Sequence, residues 1–178
     1  MRRTHDKGEK HMQNLDTLSR EELVKYLKFL SGLAMAVDGL WFMSAEKATD
    51  FDHALAMDIN VWKWYAPLVV KRIRKNFSLN GTGLDALKEI IRHDPMWWSM
   101  DVRITEDTPG RLVFEVRDCP ALNAMEKMER ERLTCEPVEG AYLEALASAV
   151  DSEIKVLALK LPPRQSPDEI CCRWEFHK

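Results

Sequence analysis

The residues of this sequence with the most distinctive chemistry are four cysteines, at positions 119, 135, 171 and 172. A cysteine thiolate binds soft or borderline metal ions and also acts as a nucleophile. None of the four has the C-x-x-C spacing of a zinc ribbon or of a thioredoxin site. The sequence shows no secretory signal, so we expect the thiols to stay reduced rather than to form disulfides.

The predicted elements around the cysteines indicate which thiols act together. Cys119 lies where a strand gives way to a helix, and a helix N-terminus lowers a thiol pKa. In the last strand, alternation places Cys172 on the apolar face with Trp174 and places Cys171 on the opposite face. We therefore predict that Cys119, Cys135 and Cys172 form an inward-facing site for a transition metal such as zinc. The alternative is that these thiols are small core side chains.

Two helical segments each place a carboxylate shortly before a tryptophan. Asp38 comes three positions before Trp41, and Asp58 comes four positions before Trp62. Residues at these spacings are neighbours on the surface of an α-helix. We interpret the four residues as part of the wall of a small-molecule site.

The same acids suggest a second metal site. Glu46 and His53 could join Asp38 and Asp58 where two antiparallel helices connect, and carboxylates with an imidazole suit a hard or borderline metal ion. The competing interpretation is an aromatic core with surface acids at its rim, because burying a carboxylate is costly.

The first half of the sequence has the apolar periodicity of helices. Ser19 and Glu22 form a capping box at the start of a first helix, and we expect its apolar stripe, including Trp41, to be buried. A second helix is predicted over residues 49–76 and a shorter one over 84–92.

Alternation with a period of two begins at Met100 and is typical of strands. The predicted strands cover residues 100–104, 112–116, 154–161 and 170–176, and the helices between them cover 120–133 and 139–150. The order strand-strand-helix-helix-strand-strand, after a helical block, predicts an α+β fold in which an N-terminal helical block packs on a four-stranded antiparallel sheet.

The length of 178 residues suits a single compact unit. We divide the chain into a mobile arm over residues 1–18, a helical region over 19–99 and an α+β region over 100–178. Residues 19–178 are expected to form one unit.

Composition and missing motifs exclude several classes of protein. Hydrophobic residues make up 46% and charged residues 31%, which favours a globular chain over a disordered one. The formal net charge of -3 argues against a nucleic-acid partner. No apolar run approaches the roughly 18 residues of a membrane span, so we expect a cytoplasmic protein with no membrane partner. Phosphate-binding loops, dinucleotide-binding glycine motifs and common hydrolase motifs are absent from the sequence.

A set of short motifs resembles an uncharacterised prokaryotic family of cytosolic proteins. The motifs are Asp38-Gly-x-Trp-Phe, Asp58-x-x-Val-Trp, Arg117-x-Cys-Pro, Cys135 and Cys172-x-Trp-x-Phe. More distantly, the chain is similar to aminothiazoline-carboxylate hydrolases and to vinyl-reductase-type small-molecule-binding domains. These share a Cys-Pro after a strand, a second cysteine after a helix and a Cys-x-aromatic motif in the last strand. The resemblance covers residues 20–178 and implies a small-molecule or metal pocket with Cys119, Cys135 and Cys172 at the matching positions.

Three functions from different classes are open at this point. The residues favour a small-molecule- or metal-binding cytosolic protein. One alternative is a hydrolase of a small nitrogen- or sulfur-containing ring compound that uses a thiolate or a metal-bound water. The other alternative is a structural homodimer whose exposed tryptophans form the interface.

Overall fold

The structure is a computed structural model that describes residues 15–178, and it has the expected α+β architecture. The described residues form five α-helices and four strands. Their bounds are α1 Arg20–Ala48, α2 Phe51–Phe77, α3 Gly83–His93, β1 Asp101–Thr108, β2 Arg111–Asp118, α4 Pro120–Lys127, α5 Cys135–Val150, β3 Lys155–Lys160 and β4 Cys172–His177. Most of the predicted mobile arm, residues 1–14, lies outside the described residues. Its next three residues, Leu15–Thr17, form a 3₁₀ turn.

The strands form one antiparallel sheet in the order β1-β2-β4-β3, which confirms the predicted fold class. Between the two central strands, Phe114 pairs with Trp174 and Leu112 pairs with Phe176, and all four side chains are buried. Helix α5 packs on this face, where a Cβ added to Gly140 would lie 3.6 Å from the Trp174 ring. The inner face of the sheet and the helices α2, α3 and α5 therefore share one hydrophobic core.

The two central strands are also joined on the outer face of the sheet. The Glu115 carboxylate of β2 is buried and accepts hydrogen bonds from Arg117 and from Arg173 of β4, both at 2.7 Å. The Arg173 hydrogen bond, the largest contribution, lowers the pKa of Glu115 below its ordinary value. This ion pair supports the register in which Glu115 lies opposite Arg173.

Helix α1 begins as predicted, but its apolar stripe is not buried. The capping box is present: the Ser19 N–H donates to Glu22 at 2.8 Å, and the Glu22 N–H donates to Ser19 at 3.2 Å. The buried residues of α1 are Ser31 and Phe42, whereas Trp41 is 44% exposed. The prediction that Trp41 is buried is therefore wrong, because periodicity shows that a helix has an apolar face but not that another element covers it.

Helix α1 is also long and apolar enough, by length and composition alone, to cross a membrane. The expectation that no segment of the chain reaches this level is not met. A single helix of this kind is weak support for a membrane span, because helices of water-soluble proteins pass the same test.

The second half of helix α2 buries apolar residues such as Val69 and Ile73, whereas its first half buries a carboxylate. There Leu55 and Ile59 are only partly buried, and the neighbouring Ala54 and Asp58 are buried. The helix continues through Pro67 to Phe77. The inner face of α2 thus contains a carboxylate, and a search for apolar periodicity alone does not reveal it.

Helix α4 is shorter than the predicted helix over residues 120–133. It ends at Lys127, and α5 begins at Cys135 rather than at residue 139. Glu129 has a φ of 53°, and the Arg130 N–H donates to the Met125 carbonyl at 3.1 Å, so the chain turns sharply after α4. This turn brings Cys135 back towards the end of α4 that carries Cys119.

Candidate functional site

Two adjoining cavities lie between the helical block and the sheet. The inner cavity, of about 100 Å³, is enclosed by residues of α1, α2, α4 and α5 and by the start of β4. The outer cavity, of about 400 Å³, lies between α1 and the segment that contains α4 and the turn after it. Residues that line both cavities are Met35, Asp38, Asp58, Ala121, Met125 and Thr134. The two cavities therefore share a wall that contains two carboxyl groups.

All four cysteines line the inner cavity, and all are free thiols. Cys119 is the N-cap of α4, Cys135 is the first residue of α5 and Cys172 is the first residue of β4. The structure thus places Cys119, Cys135 and Cys172 among the residues that line one cavity.

The prediction that Cys171 points away from this site is wrong. Cys171 is 1% exposed and lines the same cavity. Its N–H donates to the Val116 carbonyl at 2.7 Å, and its thiol lies 3.5 Å from the Arg117 carbonyl. Because β4 begins only at Cys172, the alternation of strand side chains does not extend back to residue 171.

Burial keeps the thiols protonated near neutral pH. Desolvation raises the pKa of Cys119 to about 11 and that of Cys135 to about 12, and it also raises the pKa values of Cys171 and Cys172. The expectation that a helix N-terminus lowers the pKa of Cys119 is wrong. The backbone N–H groups at the start of α4 favour the thiolate, but the loss of solvent outweighs them.

Three carboxyl groups line the inner cavity: Asp38 on α1, Asp58 on α2 and Glu139 on α5. Desolvation raises the pKa of all three. It brings the pKa of Asp58 to about 7, with a further contribution from the nearby Asp38 carboxylate, and the pKa of Glu139 to about 8. These values lie close to neutral pH, which is unusual for carboxyl groups and frequent at functional sites.

Several polar atoms of the inner cavity are buried without a hydrogen-bond partner. They are Oδ1 of Asp58, Oε1 of Glu139 and the indole nitrogens of Trp62 and Trp97. Each such group costs roughly 1–3 kcal/mol when it is left unpaired. Buried groups of this kind at a cavity are the ones that a bound molecule or an ordered water satisfies.

The adjacent Asp94, by contrast, is fully satisfied. It is buried and accepts hydrogen bonds from the Tyr65 hydroxyl at 2.8 Å, the Met96 N–H at 3.1 Å and the Tyr142 hydroxyl. Tyr142 and Tyr65 each pack edge-on against Trp62 with ring centroids 5.4 Å apart. Asp94 therefore holds an aromatic wall in place beside the cavity.

The remaining predicted residues are not brought together with this site. Trp41 does not line either cavity, whereas Trp62 lines the inner one. The exposed His53 donates its Nδ1–H to the Asp50 carboxylate at 2.7 Å, and Glu46 binds Arg130 at 2.6 Å. Glu46 and His53 thus have other partners and do not line the cavities with Asp38 and Asp58. Within residues 15–178, no group of three or more His, Cys, Asp or Glu side chains has an arrangement that could hold a metal ion.

The sequence interpretation missed Glu139 and Tyr142. Both lie on the apolar stripe of α5, at positions 4 and 7 after Cys135. A carboxylate within an apolar helical stripe is a signal that could have identified Glu139, and Asp58 carries the same signal in α2. The pattern is informative because acids are rarely buried without a partner.

The chain is similar to one known protein family. Residues 15–178 match the model of a family described as "Family of unknown function (DUF6125)". A search of curated proteins finds no match. The matched range contains every residue that lines the two cavities.

Proposed function

Because the chain belongs to DUF6125, a family of unknown function, we propose its role from the site itself: the protein binds a small molecule in the inner and outer cavities. The observation that carries this proposal is the set of unpaired buried atoms of Asp58, Trp62 and Glu139 facing the inner cavity. A ligand that hydrogen-bonds to them offsets their desolvation. The location we propose is the cytoplasm, which four free thiols favour because reducing conditions preserve them.

Metal binding is the less favoured form of this proposal. Cys119, Cys135 and Cys172 with Glu139 are the donors we would assign to a transition metal such as zinc. A metal ion would have to displace protons from thiols whose pKa values are raised by burial. The aromatic wall of Trp62 and Tyr142 adds nothing to metal coordination but suits an organic ligand.

A hydrolase of a small nitrogen- or sulfur-containing ring compound is the enzymatic alternative. It rests on the resemblance of the Cys119-Pro120, Cys135 and Cys172-x-Trp174 motifs to aminothiazoline-carboxylate hydrolases and vinyl-reductase-type domains. A thiol nucleophile needs a thiolate, and burial disfavours the thiolate at Cys119 and Cys135. The binding function therefore has the stronger physical support.

Filling the cavity tests the proposed function. Ala121 lines both cavities, so Ala121→Phe should remove the space that a ligand occupies, whereas Ala56→Phe adds the same ring at an exposed position of α2. We expect a screen of small fragments by ligand-observed NMR to yield compounds that bind the wild-type and Ala56→Phe proteins but not Ala121→Phe.

The assignment of those fragments to the cavity is checked by protein-observed NMR. Their binding should shift the backbone amide signals of Thr134 and Cys135 in the wild-type protein. This measurement does not depend on whether Ala121→Phe folds. The proposal is wrong if no fragment shifts these signals, or if every fragment binds Ala121→Phe as well as wild type.

A structural homodimer is the second candidate, and exposed side chains of α1 and α2 favour it. Large apolar residues recur at intervals of three and four along each helix, the spacing of helix-helix seams. They are Leu30, Leu33, Val37 and Leu40 on α1 and Met57, Val61, Trp64 and Leu68 on α2, and each is 42–66% exposed except Trp64, which is 72% exposed. We call these eight residues the exposed stripes.

The partner that we propose for the exposed stripes is a second copy of the chain. With Phe29 and Trp41 included, they are large apolar side chains that are each at least 42% exposed, and a stable interface of about 800 Å² on each partner would cover such side chains. Two identical pairs of helices can cover each other in a symmetric dimer, which is the commonest form of soluble oligomer.

A further inference from the structure

We infer that the ligand of the inner cavity is a small organic cation, with an amidinium, guanidinium or primary ammonium head and an apolar body. The inference rests on the proposed function and adds the chemical class of the ligand. Four observations on the described residues carry it: the charges that line the inner cavity, the unpaired oxygen of Asp58, the aromatic wall and the shapes of the two cavities.

The first observation is that the inner cavity has acids without bases. Asp38, Asp58 and Glu139 come from three different helices, and all three line this cavity. Among its lining residues, which all belong to the described part of the chain, none is Lys, Arg or His. Because burial partly removes these groups from water, they attract a positive charge more strongly than they would at the surface.

The second observation is the unpaired oxygen of Asp58. Asp58 is only 4% exposed, and its Oδ1 has no hydrogen-bond partner. Asp94 is also buried, but it receives three hydrogen bonds from the protein. Asp58 therefore has fewer donors than Asp94: the Trp62 indole lies near its carboxylate and near that of Asp38, and Oδ1 of Asp58 is left without a partner. A ligand with N–H donors and a positive charge would provide both the hydrogen bonds and the compensating charge.

The third observation is the aromatic wall. Trp62 and Tyr142 line the inner cavity, and Tyr142 is held by Asp94. The electron-rich face of an indole or phenol ring attracts a cation, and this attraction strengthens when water is excluded. The wall thus suits an organic cation, whereas a metal ion would leave it unused.

The fourth observation is the difference between the two cavities. The inner cavity of about 100 Å³ has roughly the volume of three water molecules, which suits a compact head such as an amidinium. The outer cavity is lined by flexible apolar side chains such as Met35, Met43 and Met128, and it suits an apolar body. Arg130 also lines the outer cavity, but Glu46 already neutralises it.

Three probes of matched shape test the charge of the ligand. Benzamidine is a cation, benzamide is its neutral analogue and benzoate is the corresponding anion. At pH 8, titration of the full chain followed by NMR should show that benzamidine binds at least about tenfold more tightly than benzamide, with benzoate weakest. The shifted signals should include those of Asp58, Trp62 and Glu139.

Isosteric variants locate the effect. Asp58→Asn keeps the shape of the side chain and removes its charge, and it should weaken benzamidine binding at least about tenfold while leaving benzamide binding unchanged. Glu139→Gln should act in the same direction. The matched control is Glu144→Gln, which removes an exposed acid from the same helix and should leave both affinities as in wild type.

The outcomes separate this inference from the proposed function. If benzamide and benzamidine bind equally at the cavity, and Ala121→Phe abolishes both, the cavity binds small molecules but the inference of a cation is wrong. If benzamidine does not bind while ZnCl₂ binds through Cys119, Cys135 and Cys172, the inference is also wrong and the metal alternative holds. Preferential benzamidine binding that Asp58→Asn removes supports the inference.

Discussion

At the scale of single residues, the most informative feature is a carboxyl group that the fold buries without a donor. Asp58 lies on the inner face of α2 between Ala54 and Trp62, where an apolar residue would give a more stable helix packing. The energetic cost of burying this carboxylate is evident from its pKa, which burial and the neighbouring Asp38 raise to about 7. This costly burial at a cavity wall is the reason that we place Asp58 in the proposed ligand site.

The raised pKa of Asp58 predicts how stability changes with pH. The ordinary value is 3.8 and the folded value is about 7, so the folded protein holds a proton that the unfolded chain releases between these pH values. The free energy of unfolding should therefore fall as the pH rises towards 7. Asp58→Asn removes this titrating group and therefore its contribution to the pH dependence of the free energy of unfolding. Between pH 5 and pH 8, urea unfolding should show that the variant loses about 2–3 kcal/mol less than wild type.

The control for this measurement is Asp85→Asn, which removes an acid whose side chain is 94% exposed. Its free energy of unfolding should follow wild type across the same pH range. Parallel curves for wild type and Asp58→Asn would contradict the assignment of a raised pKa to this residue.

At the scale of elements, local sequence signals predict where helices and strands lie better than they predict which face is buried. The capping box of Ser19 and Glu22 is present, and the strand pattern that starts at Met100 corresponds to β1. The burial of Trp41 was predicted wrongly because periodicity does not show what covers a helix. Similarly, the inward position of Cys171 depends on where β4 begins, and no local sequence pattern marks the first residue of that strand.

The candidate site is subject to the same limit. Cys119, Cys135 and Cys172 lie at element ends, which local patterns predict, and they line one cavity. The position of Glu139 at the cavity depends on tertiary packing. The separation of Glu46 from Asp38 depends on it too. The early end of α4 at Lys127 is produced by the turn at Glu129 and Arg130, which is tied to α1 by the ion pair with Glu46.

The end of α2 offers a prediction at this scale. Ser78 caps the helix with a φ of 55°, a left-handed conformation that glycine adopts without strain. Ser78→Gly should raise the free energy of unfolding by about 0.5–1 kcal/mol. Ser44→Gly, at an exposed position inside α1, should lower it by about 0.5 kcal/mol. Changes of equal sign in chemical denaturation would contradict the assigned conformation of Ser78.

At the scale of the whole molecule, the most prominent feature is the apolar surface of the first two helices. Phe29, Leu40 and Trp64 are among the large side chains that are more than half exposed. Monomeric proteins rarely expose a large contiguous apolar patch without a partner. Within this surface, Leu40 also lines the outer cavity, so the proposed dimer and the proposed ligand site adjoin at this residue.

The proposed dimer predicts concentration-dependent association. Sedimentation velocity should show a dimer at micromolar concentrations, and the double variant Leu40→Glu and Trp64→Glu should sediment as a monomer, because it places charges in the exposed stripes. Leu157→Glu, at an exposed position of β3, should leave the dimer intact. A monomeric wild-type protein that co-floats with phosphatidylcholine vesicles would contradict the proposal and indicate a membrane partner.

The sheet order β1-β2-β4-β3 has a consequence for the order of events during folding. Each outer strand pairs with a central strand that is close to it in sequence, whereas β2 and β4 pair over a separation that contains α4, α5 and β3. Contacts between distant segments form slowly because a long loop must close first. Cys119 follows β2 and Cys172 begins β4, so the inner cavity closes only when the two halves of the sheet join. We therefore expect the inner cavity to be among the last parts of the molecule to assemble, and the ligand that we propose would stabilise that final step.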